Sequence, residues 1–132
     1  MVKEISISTS GMDQFIDITR NVKEVLEHSR VREGLCTIFI PHTTAAVTIN
    51  ENADPDVKAD VIKELDKIVP HYDNYMHCEG NSAAHIKASL IGASETVIIK
   101  DGRLLLGTWQ GIYFCEFDGP RSRKFIIKIT EG

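Results

Sequence analysis

A chain of 132 residues has the length of a single domain, expected here to span residues 1–132, and can bury a core of its own. Its net charge of −4 argues against a nucleic-acid-binding protein, because phosphate backbones require a basic face. No apolar stretch approaches the length of a membrane span, and residues 1–8 lack the apolar core of a secretory signal. We therefore expect a cytoplasmic protein that binds neither membranes nor nucleic acid.

The N-terminal half predicts strands and helices in alternation. The first run alternates apolar and polar residues, as a half-buried strand does, and Phe15, Ile18 and Val22 then recur at helical spacing. Asp54 and Pro55 favour a helix start, because aspartate caps free N–H groups and proline has none to leave unpaired. The predicted elements are strands over 2–7, 35–40 and 45–49, a helix over 13–28, and a helix from Asp54 to a stop at Pro70.

The C-terminal half begins with a polar loop over 70–81 and continues with a short helix and several strands. Gly92 provides a helix stop, and Asp101-Gly102 suits a tight hairpin turn because both residues tolerate positive φ. The predicted elements are a helix over 82–91 and strands over 96–99, 104–106, 108–117 and 123–130. Because hairpin-connected strands dominate, we predict a compact α+β domain with mainly antiparallel sheets and about three helices packed on one side.

Three histidines lie in or beside predicted loops. His42 is at the tip of the bend 41–44, His77 is in the polar loop, and His85 is one turn into the following helix. A loop residue and a first-turn residue converge readily near a helix N-terminus, and three imidazoles with an open fourth position form a catalytic-type zinc site. The spacing matches no standard zinc motif, so the alternative is that each imidazole simply hydrogen-bonds locally.

Glu51 is a candidate acid or base. It continues the side of the strand that carries Val47 and Ile49, which places its carboxylate at the lip of the predicted core. A carboxylate in such a position is suited to proton transfer. The alternative is that Asn50, Glu51 and Asp54 form a capping and turn cluster before the helix.

Glu116 and Gln110 are polar residues on an otherwise apolar face of the long predicted strand. A buried carboxylate needs a partner, and Arg121 and Arg123 lie just beyond the next turn. Alternatively, these two arginines and Lys124 form an anion pocket, because guanidinium groups bind phosphate oxygens in pairs.

Several longer motifs occur together in this chain. It reads Pro-His-Thr-Thr-Ala-Ala at 41–46, Asn-Glu-Asn-Ala-Asp-Pro-Asp at 50–56 and Gly-Thr-Trp-Gln-Gly-Ile-Tyr at 107–113. The histidine-containing segment 77–85, Ser-Leu-Ile-Gly at 89–92, Glu116 and Gly-Pro-Arg at 119–121 complete the set. Together these segments resemble the secondary thiamine-phosphate synthase (YjbQ-like) family over nearly the whole chain.

The resemblance implies a compact α+β fold and a homotrimer with sites near the subunit interfaces. It implies a weak, secondary activity that joins the pyrimidine diphosphate and thiazole phosphate halves of thiamine, so that the substrate is a phosphorylated small molecule. It also implies a bound metal near the histidines. Zinc suits imidazole ligands, whereas magnesium would accompany a diphosphate substrate. By position, the expected metal ligands are His42, His77 and His85, with Glu51, Glu79, Asn81, Gln110, Glu116 and Arg121 around them. Among these and their neighbours we predict Glu51, Glu79 and Glu116 as catalytic groups, and Asn50, Asn81, Gln110 and Arg121 as substrate-binding groups.

Three functions are open at this point. The first is a metal-assisted transferase acting on phosphorylated small molecules, and the second is a metal-dependent hydrolase of a small metabolite. The third is a non-catalytic trimer that binds a metabolite. A three-imidazole metal suits hydrolysis, whereas magnesium with oxygen ligands more often assists the departure of diphosphate.

Overall fold

The computed structural model describes all 132 residues and contains eight strands and three helices. No helix is long and apolar enough to cross a membrane. The strands are β1 (Val2–Ser8), β2 (Gln14–Asp17), β3 (Gly34–Phe39), β4 (Ala45–Glu51), β5 (Ser94–Lys100), β6 (Arg103–Leu104), β7 (Gln110–Glu116) and β8 (Ser122–Glu131). The helices are α1 (Thr19–Ser29), α2 (Pro55–Ile68) and α3 (Ser82–Ile91).

The strands form two sheets in which every pairing is antiparallel, as predicted. The larger sheet has the order β1-β8-β3-β5-β6 and the smaller one the order β2-β7-β4. Although β3 and β4 are consecutive in sequence, they belong to different sheets. The bend 41–44 therefore carries the chain from one sheet to the other, and with it His42.

The inner faces of the two sheets pack against each other. Side chains from β3, β5 and β8 meet side chains from β4 and β7 in one cluster of 17 buried residues. Along β8, Phe125, Ile127 and Ile129 are buried in alternation with exposed or half-buried residues, which is the period-two pattern of a sheet with one covered face. Removal of this apolar surface from water is the main stabilising contribution to the fold.

The helices divide between two sides of the smaller sheet. α2 and α3 cover its outer face, where they pack on Tyr113 and Phe117, so the central strand β7 is buried on both faces. α1 lies on the opposite side, because its Val22 and Leu26 belong to the core between the sheets. The prediction of helices on one side is therefore wrong for α1.

The helix predicted over 13–28 is wrong at its N-terminal end. Gln14–Asp17 forms β2, which pairs with β7, and α1 begins only at Thr19. Phe15 matches the helical spacing but packs against the rings of Tyr113 and Phe117. A run this short is compatible with both periods, and the ladder hydrogen bonds to β7 favour the strand.

The predicted helix cap at Asp54 and the predicted turn at Asp101-Gly102 are both confirmed. Asp54 Oδ1 accepts a hydrogen bond of 2.9 Å from the N–H of Asp56, and α2 begins at Pro55. Asp101 and Gly102 both have positive φ, at 54° and 74°, in the tight β5–β6 turn. Because these signals involve only neighbouring residues, tertiary contacts do not override them.

Replacing Phe114 by Ala is expected to lower the free energy of unfolding by about 3–5 kcal/mol, because its side chain lies at the centre of the core and packs against Phe125. Urea denaturation followed by circular dichroism measures the change. The matched control is Ile68→Ala, since Ile68 is exposed at the end of α2 and its loss should cost less than about 0.5 kcal/mol. Equal effects of the two substitutions would contradict this description of the core.

Candidate functional site

A cavity of about 720 Å³ lies where the β3–β4 bend, the N-terminus of α3 and the turn between β7 and β8 meet. Antiparallel pairing brings these segments together, because Ala45 at the start of β4 is opposite Glu116 at the end of β7. The bend that precedes β4 and the turn that follows β7 are consequently neighbours. The polar side chains that line the cavity are His42, Thr43, Thr44, His77, Glu79, Asn81, His85, Arg121 and Arg123.

All three histidines predicted as metal ligands line this cavity. The rings of His77 and His85 are edge to face with centroids 5.5 Å apart. The Nε2 atom of His42 lies 3.0 Å from both the backbone nitrogen and the backbone oxygen of Lys124, which leaves Nδ1 as its available nitrogen. Ligand atoms of the three histidines are not all within 4.8 Å of one another, so joint coordination of one ion requires rotation of the rings.

Burial and the positive charge of Arg123 lower the pKa of His42 below its ordinary value of 6.5. The imidazole is therefore neutral near pH 7, which is the form that binds a metal or accepts a proton. Neutral imidazole also has one nitrogen that carries hydrogen and one that does not. Which of the two Lys124 backbone groups pairs with Nε2 depends on that choice of tautomer.

Asn81 and Arg121 are held at the cavity by one carboxylate. Asp118 Oδ2 accepts hydrogen bonds from Asn81 Nδ2 at 2.9 Å and from Arg121 Nη2 at 2.7 Å. The Arg121 Nε–H is bonded to the carbonyl of Asp118, so the guanidinium group is fixed at two points. The Oδ1 atom of Asn81 is buried and has no hydrogen-bond partner within the chain. Because Asn81 lines the cavity, this oxygen is an unused acceptor beside the site.

Glu116 lies behind the cavity and does not line it. Its side chain has no exposed surface, and Arg123 binds both carboxylate oxygens through Nε and Nη2. The same carboxylate accepts hydrogen bonds from the Thr9 hydroxyl and from the N–H of Asp118. Burial alone would raise the pKa of Glu116, but the hydrogen bonds, led by that from Arg123, hold it below its ordinary value. The structure thus matches the interpretation in which a nearby arginine pairs with this carboxylate.

Asn50, Glu51 and Gln110 lie at the opposite end of the smaller sheet. Glu51 is opposite Gln110 in the β4–β7 register, and β4 separates it from the cavity by about 20 Å at 3.3 Å per residue. Glu51 Oε2 accepts from the N–H of Asp54, and Gln110 Oε1 accepts from the N–H of Gly107. These hydrogen bonds match the alternative in which Asn50, Glu51 and Asp54 form a capping and turn cluster. Within one chain, Asn50, Glu51 and Gln110 do not lie near the three histidines.

The sequence interpretation missed an ion cluster formed by Asp13, Asp66, His71 and Lys87. Lys87 is completely buried, and its ammonium group binds Asp13 Oδ2 at 2.6 Å and Asp66 Oδ1. His71 Nε2 lies 3.5 Å from Asp13 and 3.4 Å from Asp66. Asp13 and Lys87 are 74 residues apart, so no local spacing indicates the cluster. A lysine on an apolar helix face was its only signal in the sequence.

Comparison with known proteins gives one consistent family. The family model described as "UPF0047 protein YjbQ-like" matches residues 3–132. The UPF0047 proteins of Methanocaldococcus jannaschii and Bacillus subtilis (YugU) are each 53% identical to this chain over 98% of its length, covering 94% and 98% of their own. The names of these two relatives state neither a ligand nor a reaction.

Solved structures of similar proteins have the same fold. A YjbQ/UPF0047 family protein of Clostridium acetobutylicum is 58% identical, with a TM-score of 0.96 over 97% of this chain and 99% of that one. A protein of Sulfolobus solfataricus, described as of unknown function, is 30% identical with the same TM-score over 100% and 97%. The predicted α+β class is confirmed by these neighbours.

Replacing Glu116 by Gln is expected to lower the free energy of unfolding at pH 7 by about 3–5 kcal/mol, because Arg123 is left as an unpaired buried charge. The lowered pKa of Glu116 means that its contribution is present above pH 4.5 and is lost as the pH falls through the folded-state value. The difference in stability between wild type and variant should therefore be full at pH 7 and should narrow as the pH falls below 4.5, as measured by denaturation over that range. Glu131→Gln, on an exposed carboxylate, is the control. A stability difference between wild type and Glu116→Gln that stays unchanged at low pH would contradict an ionised Glu116 paired with Arg123.

Proposed function

Because the chain belongs to the YjbQ-like UPF0047 family, we propose that it is a cytoplasmic, metal-assisted enzyme acting on a phosphorylated small molecule, with thiamine-phosphate synthesis as a secondary activity. The observation that carries the proposal is the convergence of three imidazoles and two arginines on one cavity. Imidazoles are ligands for a transition metal, and arginines bind phosphate.

The arginines supply the phosphate-binding part of the proposal. Glu116 and Asp118 each bind one guanidinium group, so Arg123 and Arg121 are positioned before a substrate arrives. Each arginine retains an Nη1 group that makes no hydrogen bond within the chain. A pre-positioned guanidinium group loses little conformational freedom when it binds phosphoryl oxygens. In this arrangement Glu116 is a positioning residue that acts through Arg123.

The donor set fits a divalent transition metal. His77 and His85 offer neighbouring imidazoles, His42 offers Nδ1, and Asn81 offers a buried carbonyl oxygen without a partner. Zinc is the ion best suited to imidazole ligands, and when bound it would polarise a substrate oxygen. Magnesium accompanying a diphosphate substrate is the alternative, because it prefers oxygen ligands.

Thiamine-phosphate synthesis requires the C–O bond between the pyrimidine methylene and diphosphate to break, while the thiazole nitrogen bonds to that carbon. Diphosphate leaves with the electron pair of the C–O bond, and in this proposal Arg121 and Arg123, which line the cavity, stabilise its charge. Glu79 is the carboxylate that lines the cavity, so it is the candidate to stabilise positive charge on the methylene carbon.

A second candidate is a metal-dependent hydrolase of a small phosphorylated metabolite. The predominance of imidazole over oxygen donors favours it, since histidine-bound metals commonly activate water. A third candidate, a non-catalytic trimer that binds a metabolite, requires the same cavity but no turnover. The transferase and the hydrolase need the histidines to hold a metal for catalysis, whereas the binding trimer needs no catalytic metal.

The outer face of the larger sheet supports the homotrimer. Leu35 and Ile98 are cross-strand neighbours on this face and are 46% and 55% exposed, and Phe39 is 45% exposed on the same strand as Leu35. Contiguous exposed apolar side chains mark surfaces that associate. Phe39 also lines the cavity, so a second copy seated on this face would lie at the cavity mouth.

Purified wild-type protein is expected to contain near-stoichiometric zinc or another transition metal, and a His77→Ala, His85→Ala double variant should lose it. Plasma mass spectrometry measures the metal. The matched control is His28→Ala, because His28 lies at the end of α1 and bonds the carbonyl of Glu24. Absence of metal from the wild type after zinc is supplied would contradict the histidine metal site. The remaining hypothesis would then be a diphosphate substrate that binds the arginines and brings magnesium with it.

Turnover then separates the three candidates. Wild type should form thiamine phosphate from its two halves, and His85→Ala should lose both metal and this activity. Survival of both in His85→Ala would reject the transferase and the hydrolase. Tight binding of a phosphorylated ligand by wild type with no turnover of any tested substrate would favour the binding trimer.

A Leu35→Glu, Ile98→Glu double variant is expected to be monomeric where wild type is trimeric, because two buried carboxylates on adjacent strands would oppose association. Light scattering coupled to size-exclusion chromatography measures the mass. Ile68→Glu, which adds one charge at an exposed position on α2, should leave the trimer intact. A monomeric wild type would reject the homotrimer.

A further inference from the structure

The ion cluster of Asp13, Asp66, His71 and Lys87 joins three parts of the fold. Asp13 precedes β2, Asp66 is in the last turns of α2, and Lys87 is in α3. His71 is at the start of the loop 70–81 and is the one member that belongs to this loop. Its imidazole therefore connects the loop to the body of the protein.

The charges of the cluster do not balance when His71 is neutral. Two carboxylates face one ammonium group, and no other charged side chain lies within ion-pair distance of them. Asp13 has only 8% of its side chain exposed, and its Oδ1 atom, 3.5 Å from His71 Nε2, has no hydrogen-bond partner. Burial raises the pKa of Asp13 despite the hydrogen bond and the charge of Lys87, and the neighbouring Asp66 carboxylate adds a smaller increase. An imidazolium at His71 would supply the missing positive charge and a donor for Oδ1.

The loop 70–81 has few other attachments. Its side chains are mostly exposed, and the Tyr75 hydroxyl bonds only to Pro70 within the loop itself. At its far end, Asn81 is bonded to Asp118. His71 and Asn81 are thus the two ends by which the loop is anchored, and His77 and Glu79 lie between them.

We propose that protonation of His71 closes an ionic latch that anchors the loop 70–81, so that the placement of His77 and Glu79 at the cavity responds to pH. Histidine changes its charge between about pH 5 and pH 8, so the latch is closed at the acidic end of this range and open at the other. The charged groups that face His71 are Asp13 before β2, Asp66 on α2 and Lys87 on α3. The latch regulates the proposed site, but its existence does not depend on what that site binds.

Hydrogen exchange with mass spectrometry tests the latch in substrate-free protein. After correction for the intrinsic effect of pH on exchange, the loop 70–81 should exchange roughly tenfold more slowly at pH 6 than at pH 8, as expected for gain of a charge-assisted hydrogen bond. His71→Gln should abolish this difference. Asp66→Asn should reduce it strongly, because Asp13 and Lys87 then balance each other. His28→Gln, at the end of α1, is the matched control and should retain it.

Two results would overturn the latch. One is a pH difference in His71→Gln equal to that of wild type, with circular dichroism confirming that the variant is folded. The other is loss of loop protection at both pH values after treatment with EDTA, which would identify the missing cation as a metal. Exchange is measured without substrate, so failure of the enzymatic proposal leaves this test unaffected. Conversely, a pH-independent loop would leave metal binding by His77 and His85 untouched.

Discussion

The buried carboxylate of Glu116 joins the hydrophobic core to the cavity. A charge with no exposed surface must be satisfied by hydrogen bonds and an opposite charge, and here Thr9, Asp118 and Arg123 provide them. Arg123 in turn binds the hydroxyl of Thr44 in the β3–β4 bend. The bend, the β7–β8 turn and the segment after β1 are therefore held in one arrangement, and the side of the cavity that these segments form is rigid.

The other side of the cavity is built differently. The loop 70–81 contributes His77 and Glu79 but packs few side chains into the core, and the ion cluster and Asn81 fasten its ends. One side of the cavity, with Arg121 and Arg123, is thus held by buried hydrogen bonds, whereas the side with His77 and Glu79 is an exposed loop with few contacts. Such a division suits a site in which phosphate is recognised by a fixed surface while the histidine side adjusts to a metal or substrate.

The family motifs are divided between two ends of the smaller sheet. The bend with His42 is at one end, and the run containing Gln110 is at the other, about 20 Å away along β4 and β7. Gln110 Oε1 accepts a hydrogen bond from the N–H of Gly107, so within one chain this side chain stabilises its own turn. The exposed apolar face of the larger sheet, continuous with the cavity at Phe39, is consistent with the proposed trimer.

Sequence alone determined those features that depend on neighbouring residues or on periodicity. The cap at Asp54, the turn at Asp101-Gly102, the α+β class and the YjbQ-like family were all predicted correctly, and an arginine past the turn was one of two alternatives predicted for the region of Glu116. Only the tertiary structure decided between strand and helix at Gln14–Asp17, because the competing hydrogen bonds come from β7, almost 100 residues away. It also separated Glu51 from the histidines and assembled the Lys87 cluster, since strand register and helix packing, which no local pattern encodes, bring distant charges together or keep them apart.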